Sequence, residues 1–289
     1  MQIHNLGILD SKPNKQDGAI FNGYLFRFGS VGNCTVYNIE ECVKEGNSLH
    51  KPIAAFTLDK AEIILPHSNS VMFSNTYYCE GDEFPLLYTN IYTNHNSHED
   101  KLKGVTCVYR ITRTDDGFKN ELVQIIRVGF TEDKLWKSEN TTDCRPFGNF
   151  VIDYENSKYY AFTMRDEDNT TRYFAFDLPK VTDGIYDEKF GVKCAVLKKE
   201  DIKEYFDIEY HKFMQGACCH KGFIYSVEGF TNNTGNPPAL RIIDIKNKKQ
   251  SEFYLFGDYG LSVEPELIDF YNDICYYSDD EGNFYRLEF

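Results

Sequence analysis

One structural plan is repeated five times along the 289-residue chain, and this repeat constrains the fold more than any other feature. Each unit starts with a small or polar segment, continues through an apolar strand and an aromatic-rich strand, and ends in a strand of the type Val-Tyr-x-Ile. Such short aromatic and β-branched runs, separated by turn residues, predict a protein built mostly of β-strands. The five units start at Gln16–Gly18, His67–Asn69, Phe147–Asn149, Met214–Gly216 and Glu264–Glu266.

A further apolar strand follows each of the first four units, at Pro52–Leu58, Glu121–Val128, Val192–Leu197 and Ser251–Phe256. Four strands per unit correspond to the blade of a β-propeller. The fifth unit has only three strands, and a spare strand at the other end of the chain, Gln2–Leu9, supplies its fourth.

These observations predict an all-β fold, with residues 1–289 forming a single five-bladed β-propeller domain whose last blade is closed by the N-terminal strand. Closure of this kind leaves no open sheet edge between the first and last blades. A six-bladed propeller is the alternative, if the long interval between Asn69 and Gly148 contains a short additional blade. Helical periodicity is limited to two segments, Lys199–Tyr210 and, more weakly, Asn38–Gly46.

The formal net charge of −14 argues against nucleic acid and anionic membranes as partners, because both require a basic surface. No apolar run approaches the roughly 20 residues of a membrane-spanning helix. The nine cysteines match no zinc-binding spacing, which favours free, buried thiols in a reducing compartment, although disulfides remain an alternative. Cys218 and Cys219, which precede His220, are the candidates for a nucleophilic cysteine. We expect a cytoplasmic monomer that uses no cofactor and no metal ion, unless a leader has been removed from the chain.

Candidate ligand-binding residues lie where the first strand of each unit begins. In a propeller these first strands line the central channel, so the segments that precede them meet at one mouth, which we call the upper mouth. Acids, amides and one arginine at this mouth predict a pocket for a small polar ligand, for which a carbohydrate is the leading candidate. Water-filled strand ends are the alternative interpretation. The predicted binding residues are Gln16, Asp17, His67, Asn69, Arg145, Asn149, Gln215, Glu264 and Glu266.

The segment Gln16–Ile20, followed by Gly23–Phe26, resembles the first blade of the arabinanase-like glycosidases. Glu228-Gly229-Phe230 is similar to the segment that carries their general acid, with Phe230 in place of proline. The resemblance implies a general base at Asp17 and a general acid at Glu228, with Glu266 as a further carboxylate. His67–Val71 lacks the additional acid that those enzymes carry in the second blade. The chain also looks like uncharacterised bacterial propeller proteins, from which no function follows.

Three functions therefore remain open at the sequence level. The leading hypothesis is a binding protein for a small polar ligand, the second is a hydrolase of the glycosidase type, and the third is a protein-interaction scaffold. Propellers serve all three functions, so the fold alone does not choose among them.

Overall fold

The computed structural model describes residues 1–10, 15–44, 48–64, 66–91, 105–128, 147–165, 169–209 and 214–289. Two short α-helices, α1 (Ile39–Cys42) and α2 (Ala61–Ile64), and two 3₁₀ helices, Lys199–Asp201 and Phe256–Tyr259, accompany the strands. The strands are β1 (Gln2–Leu9), β2 (Gly18–Phe21), β3 (Tyr24–Phe28), β4 (Asn33–Asn38), β5 (Ser48–His50), β6 (Ala54–Thr57), β7 (Val71–Phe73), β8 (Leu87–Ile91), β9 (Val105–Thr114), β10 (Gly117–Val128), β11 (Phe147–Asp153), β12 (Lys158–Arg165), β13 (Thr170–Asp177), β14 (Ile185–Asp187), β15 (Val192–Leu197), β16 (Glu204–Glu209), β17 (Met214–His220), β18 (Phe223–Glu228), β19 (Ala239–Asp244), β20 (Lys249–Leu255), β21 (Pro265–Tyr271), β22 (Ile274–Asp279) and β23 (Asn283–Glu288).

The strands form five sheets arranged in a ring, and the predicted five-bladed β-propeller is confirmed. Blade 1 contains β2, β3, β4 and β6, blade 3 contains β11, β12, β13 and β16, and blade 4 contains β17 to β20. The first strand of each repeat unit (β2, β7, β11, β17 and β21) lies at one edge of its sheet. These inner strands contact one another across the channel, as β17 does with β21 and β2 with both β7 and β21.

The last blade is built from both ends of the chain, as predicted. Strand β1 pairs antiparallel with β23, with Gln2 opposite Glu288 and Asn5 opposite Tyr285. Strand β5 then adds to β1 in parallel, which gives the sheet order β21-β22-β23-β1-β5. Leu6 and Leu9 are buried, so β1 contributes to the core as well as to the backbone pairing.

Blade 2 is larger than predicted, and this accounts for the long interval between the second and third units. Its sheet has the order β14-β15-β10-β9-β8-β7, so the described residues between Asn69 and Gly148 contribute four of its six strands and form no separate blade. The assignment of Val192–Leu197 to blade 3 was wrong, since β15 pairs in parallel with β10 of blade 2. The fourth strand of blade 3 is β16 instead, which pairs with β13.

The helix predicted at Lys199–Tyr210 was also wrong over the described residues. The chain makes one 3₁₀ turn at Lys199–Asp201 and then extends as β16. Phe206 and Ile208 are buried and Tyr205 is exposed, which is the alternation of a strand with one face on the core. The weaker helix prediction at Asn38–Gly46 is confirmed in part, because α1 covers Ile39–Cys42 with Asn38 as its N-cap.

Most aromatic residues fill the space between blades. Phe26 lies at the centre of one such cluster, with ring centroids 5.6 Å from Phe84, 5.4 Å from Phe73 and 5.3 Å from Phe118. These edge-to-face contacts join blades 1 and 2 and stabilise the ring beyond the burial of apolar area. Within the described ranges, no helix is long and apolar enough to cross a membrane.

Tight hairpins mark the ends of the inner strands, at the mouth opposite the upper mouth, which we call the lower mouth. Asn22 and Gly23 connect β2 to β3 with φ of 47° and 82°, the left-handed conformations of a type I′ turn. Asn272 and Asp273 connect β21 to β22 with φ of 51° and 64°. Both turns suit the right-handed twist of the strands they join.

Candidate functional site

The predicted upper-mouth residues that the structure describes come from all five blades and are mostly buried. The exposed fraction is 0% for Asp17, 1% for Asn69, 2% for Asn149 and Glu266, and 9% for Gln215. Gln16, His67 and Glu264 are half-buried, and Arg145 lies outside the described residues. Burial of this degree means that the hydrogen bonds of each side chain decide whether it can bind a ligand.

Asn69 and Asn149 belong to a network that joins blades 2, 3 and 4. Asn90 of β8 donates its side-chain amide to Asn69 Oδ1 at 2.7 Å and to Asn149 Oδ1 at 2.5 Å. Its own Oδ1 accepts from the backbone N–H of Ser70 at 3.1 Å, and Asn149 Nδ2 donates to the carbonyl of Met214 at 3.1 Å. These contacts give both asparagines a structural role, and their role in ligand binding stays a prediction.

Asp17 connects three inner strands at the centre of the ring. Its Oδ2 accepts from the backbone N–H of Val71 at 2.9 Å. The backbone N–H groups of Gly18 and Ala217 also lower its pKa, and its Oδ1 has no hydrogen-bond partner among the described residues. Burial outweighs these contacts and raises the pKa of Asp17 well above its usual range, which favours the neutral acid.

Glu266 and Gln16 present acceptor oxygens that are not used by the protein. Gln16 Nε2 donates to Glu266 Oε1 at 3.5 Å, a long contact. Glu266 Oε2 and Gln16 Oε1 are buried and have no hydrogen-bond partner within the described chain. Burial raises the pKa of Glu266 well above its usual range, and the negative charges of Glu264, Asp280 and Asp17 act in the same direction.

Glu264 and Gln215 form the outer part of this cluster. Gln215 Nε2 donates to Glu264 Oε1 and, at 3.4 Å, to the carbonyl of Gly229. Burial and the nearby Asp280 raise the pKa of Glu264, while the Gln215 hydrogen bond and the positive charge of Lys15 lower it. The side-chain amides of Gln16 and Gln215 are therefore both engaged, whereas Gln16 Oε1 and Glu266 Oε2 remain available to accept.

Arg27 supplies a buried positive charge to the same region. It comes from β3, is fully buried, and donates Nη1 to Ser278 Oγ and Nη2 to the carbonyl of Asp279 at 2.6 Å. Its charge lowers the pKa of Glu266, although burial outweighs this effect. Arg27 joins blade 1 to blade 5 directly behind the acids of the upper mouth.

Glu228, the candidate general acid, forms an ion pair inside blade 4. Arg241 Nη2 lies 2.7 Å from Glu228 Oε1 and Arg241 Nε lies 3.2 Å from Oε2, with both side chains buried. A bidentate guanidinium stabilises the charged carboxylate, which is the reverse of what a proton donor needs. The acid–base pair of Asp17 and Glu228 remains a sequence prediction that this geometry does not favour.

Arg27, Asn90 and Asp269 were missed by the sequence analysis. Each is a charged or amide residue inside an otherwise apolar strand, as in Tyr24–Phe28 and Leu87–Ile91. A polar residue in such a position must find a buried partner, and that was the available signal. The sequence does not identify that buried partner, because the partner depends on how neighbouring blades pack against each other.

The cysteines follow the expected pattern in the part of the chain that the structure describes. All eight of them there are free, and seven are buried, the exception being Cys79. Burial raises the pKa of Cys218 and Cys219 well above the usual range, which keeps both as unreactive thiols. No group of three or more metal-ligating side chains comes together among the described residues.

Solved structures resemble this chain in fold. The glutaminyl cyclase of Myxococcus xanthus aligns over 99% of this chain and 95% of its own, with a TM-score of 0.52 and 10% sequence identity. The BamB protein of Moraxella catarrhalis aligns over 98% of this chain and 59% of its own, with a TM-score of 0.34 and 8% identity. No protein-family model and no curated relative matches the sequence. At 10% identity, the similarity to the glutaminyl cyclase supports the propeller fold and nothing more specific.

Proposed function

We propose that this protein binds a small, uncharged, hydroxyl-rich ligand of the carbohydrate class at the upper mouth. The single observation that carries the proposal is the pair of buried oxygens without a partner, Glu266 Oε2 and Gln16 Oε1. A buried acceptor left without a donor costs about 1–3 kcal/mol, and a ligand hydroxyl would recover this. In such a complex, hydroxyl groups of the ligand would donate hydrogen bonds to these two oxygens.

The protonation state favours a neutral ligand over a cation. Burial raises the pKa values of Asp17 and Glu266 well above their usual range, which favours the neutral form of both carboxyls. A neutral carboxyl both donates and accepts hydrogen bonds, as a sugar hydroxyl does. A cation would instead require both acids to ionise in a buried environment.

The test is a thermal-shift screen of the full chain against mono- and disaccharides, repeated with Glu266→Gln. We expect at least one saccharide to raise the melting temperature of the wild type. Glu266→Gln places an N–H₂ group at one of the two carboxyl oxygen positions, so one hydrogen bond from the ligand is lost. Loss of about 1.4 kcal/mol of binding free energy would weaken the affinity about tenfold.

Two further variants make the result specific to the upper mouth. Asp17→Asn should weaken the binding of the same saccharide, because Asp17 contacts a neighbouring inner strand and interacts electrostatically with Glu266. Glu200 is an exposed acid in the connection between β15 of blade 2 and β16 of blade 3, so Glu200→Gln should leave the affinity unchanged. The proposal fails if no saccharide stabilises the wild type, or if one stabilises wild type and Glu266→Gln equally.

A further inference from the structure

A cavity of about 450 Å³ opens at the lower mouth, and no part of the proposed function uses it. All five blades line it, because each inner strand ends there. Ile20 and Phe21 end β2, Met72 and Phe73 end β7, and Tyr154 follows β11. Cys219 and His220 end β17, while Asp269 and Phe270 come from the end of β21. Its volume lies within the range of small-molecule sites.

The walls of this cavity are largely aromatic and are held in place by their own packing. Phe270 stacks on His220 with ring centroids 4.1 Å apart and an interplanar angle of 11°. Phe73 stacks on Phe84 behind the wall. Tyr154 and Tyr77 also line the cavity, and the Tyr77 side chain is 45% exposed. An apolar body of a ligand would pack against these rings without rearrangement of the site.

Asp273, which also lines the cavity, pairs with Lys221, and the second carboxyl group of the lining is that of Asp269. Its Oδ2 accepts from the backbone N–H of Ile20 at 2.6 Å and its Oδ1 accepts from the N–H of Phe270 at 2.8 Å. Two backbone donors therefore fix the orientation of the carboxyl, and each oxygen retains a further acceptor position. Burial nevertheless raises the pKa of Asp269 to about 7.

No positive charge of the described chain neutralises Asp269. The cationic groups nearest to the rim are engaged with Asp273, which pairs with His220 at 3.2 Å and with Lys221 at 2.8 Å. Burial also lowers the pKa of His220, so its ring is neutral near pH 7. The ionisable groups that interact electrostatically with Asp269 are the acidic side chains of Asp17, Tyr154, Cys218 and Cys275.

We propose that the lower-mouth cavity is a second binding site, for a small organic amine whose ammonium group pairs with Asp269 and whose apolar body packs on the aromatic walls. The ammonium group would provide the positive counter-charge for Asp269 that the described chain does not supply. The aromatic rings provide the apolar contact and a cation–π contribution. This site lies at the opposite end of the inner strands from Glu266 and does not depend on the proposed function.

Calorimetric titration with benzylamine as the probe tests the inference on the full chain. We expect saturable binding to the wild type, at least tenfold weaker binding to Asp269→Asn, and at least tenfold weaker binding of benzyl alcohol to the wild type. Asp258→Asn, at an exposed acid elsewhere, should bind benzylamine as the wild type does.

A second variant keeps the test decisive if Asp269→Asn does not fold. Tyr77→Ala removes a half-exposed aromatic residue of the cavity wall and should weaken the binding of benzylamine about threefold. Tyr186→Ala is the control, because Tyr186 is 62% exposed in blade 2, and it should leave the affinity unchanged. The inference is overturned if benzylamine does not bind, or if both cavity variants bind it as the wild type does. It is also overturned if Glu266→Gln, rather than Asp269→Asn, abolishes binding, because the amine would then occupy the upper mouth.

Discussion

Glu228 of β18 and Arg241 of the neighbouring strand β19 form a buried, bidentate ion pair in blade 4. Removal of one partner leaves the other charge uncompensated in a region of low polarity. We therefore expect Glu228→Ala to lower the free energy of unfolding by about 3 kcal/mol in urea denaturation. The double variant Glu228→Leu with Arg241→Met should recover most of this loss. A change below about 0.5 kcal/mol for Glu228→Ala would contradict a structural role for the pair.

Asp269 should make stability depend on pH in a defined direction. Its pKa is about 7 in the folded protein, against about 3.9 for an aspartate in an unfolded chain. Between these values the folded protein holds a proton that the unfolded chain has released, so the contribution of Asp269 to stability falls as the pH rises. The free energy of unfolding of Asp269→Asn, relative to wild type, should therefore increase between about pH 4 and pH 7 and remain level above pH 7.

Urea denaturation of both proteins at several pH values measures this difference. Asp17 and Glu266 produce a pH dependence of the same sign in both proteins, so only the difference between wild type and variant reports on Asp269. A difference that stays constant from pH 4 to pH 8 would mean that Asp269 is solvated in the folded state.

At the scale of residues, the sequence could predict which positions meet at the upper mouth and could not predict what they bind. The repeat aligns the starts of the inner strands, so Asp17, Asn69 and Glu266 were identified together. Whether an amide faces a ligand or a neighbouring blade depends on distances across the channel. Asn90 illustrates this, because it engages both Asn69 and Asn149 from a strand that reads as apolar.

Single glycines determine how closely the inner strands approach. A Cβ atom at Gly216 of β17 would lie 2.2 Å from the backbone oxygen of Glu266 and 3.1 Å from Asp17 Cγ. Gly216→Ala should therefore lower the free energy of unfolding by about 3 kcal/mol, since backbone atoms must move to accommodate the methyl group. Gly257→Ala is the matched control, because nothing lies within 4 Å of its Cβ position.

Chemical denaturation of these two alanine variants compares them directly. A Gly257→Ala change within about 0.5 kcal/mol of wild type is expected for an open position. Equal stability of Gly216→Ala and Gly257→Ala would show that β17 and β21 are farther apart than described.

Strand β1 closes the ring, so its removal should destabilise the whole protein. Deletion of residues 1–9 removes the pairing with β23 and the buried side chains of Leu6 and Leu9. Loss of a buried leucine costs about 2–5 kcal/mol, so we expect the melting temperature to fall by more than about 10 °C. A synthetic peptide with the sequence of residues 1–9 should restore part of the loss, and a scrambled peptide should not. An unchanged melting temperature would contradict closure by β1.

At the scale of elements, strand existence was predictable and partner choice was less so. The apolar pattern located Val192–Leu197 as a strand, but the pattern does not encode that β15 pairs in parallel with β10 of the preceding blade. The helical spacing at Lys199–Tyr210 was a coincidence of Ile202, Tyr205 and Phe206. In the structure burial follows the strand period of two, with Phe206 and Ile208 buried and Tyr205 exposed, because β16 closes blade 3.

The whole molecule presents two chemically different mouths on one channel. The upper mouth is polar and contains acids whose pKa values burial raises, whereas the lower mouth combines aromatic side chains with the Asp269 carboxyl. The closed ring, with its single blade built from both chain ends, followed from counting strands in the repeat. The chemical difference between the two mouths could not be predicted from this count, since it depends on which side chains of each inner strand face the channel.

Calorimetric titration of the most stabilising saccharide into wild type, Glu266→Gln and Asp269→Asn tests the central claim most directly. Glu266 lies where β21 begins and Asp269 lies near its end, so the two variants alter opposite mouths of the same inner strand. The account predicts an affinity about tenfold weaker for Glu266→Gln and an affinity within about twofold of wild type for Asp269→Asn. Wild-type affinity in Glu266→Gln, or loss of binding in Asp269→Asn alone, would contradict a ligand site at the upper mouth.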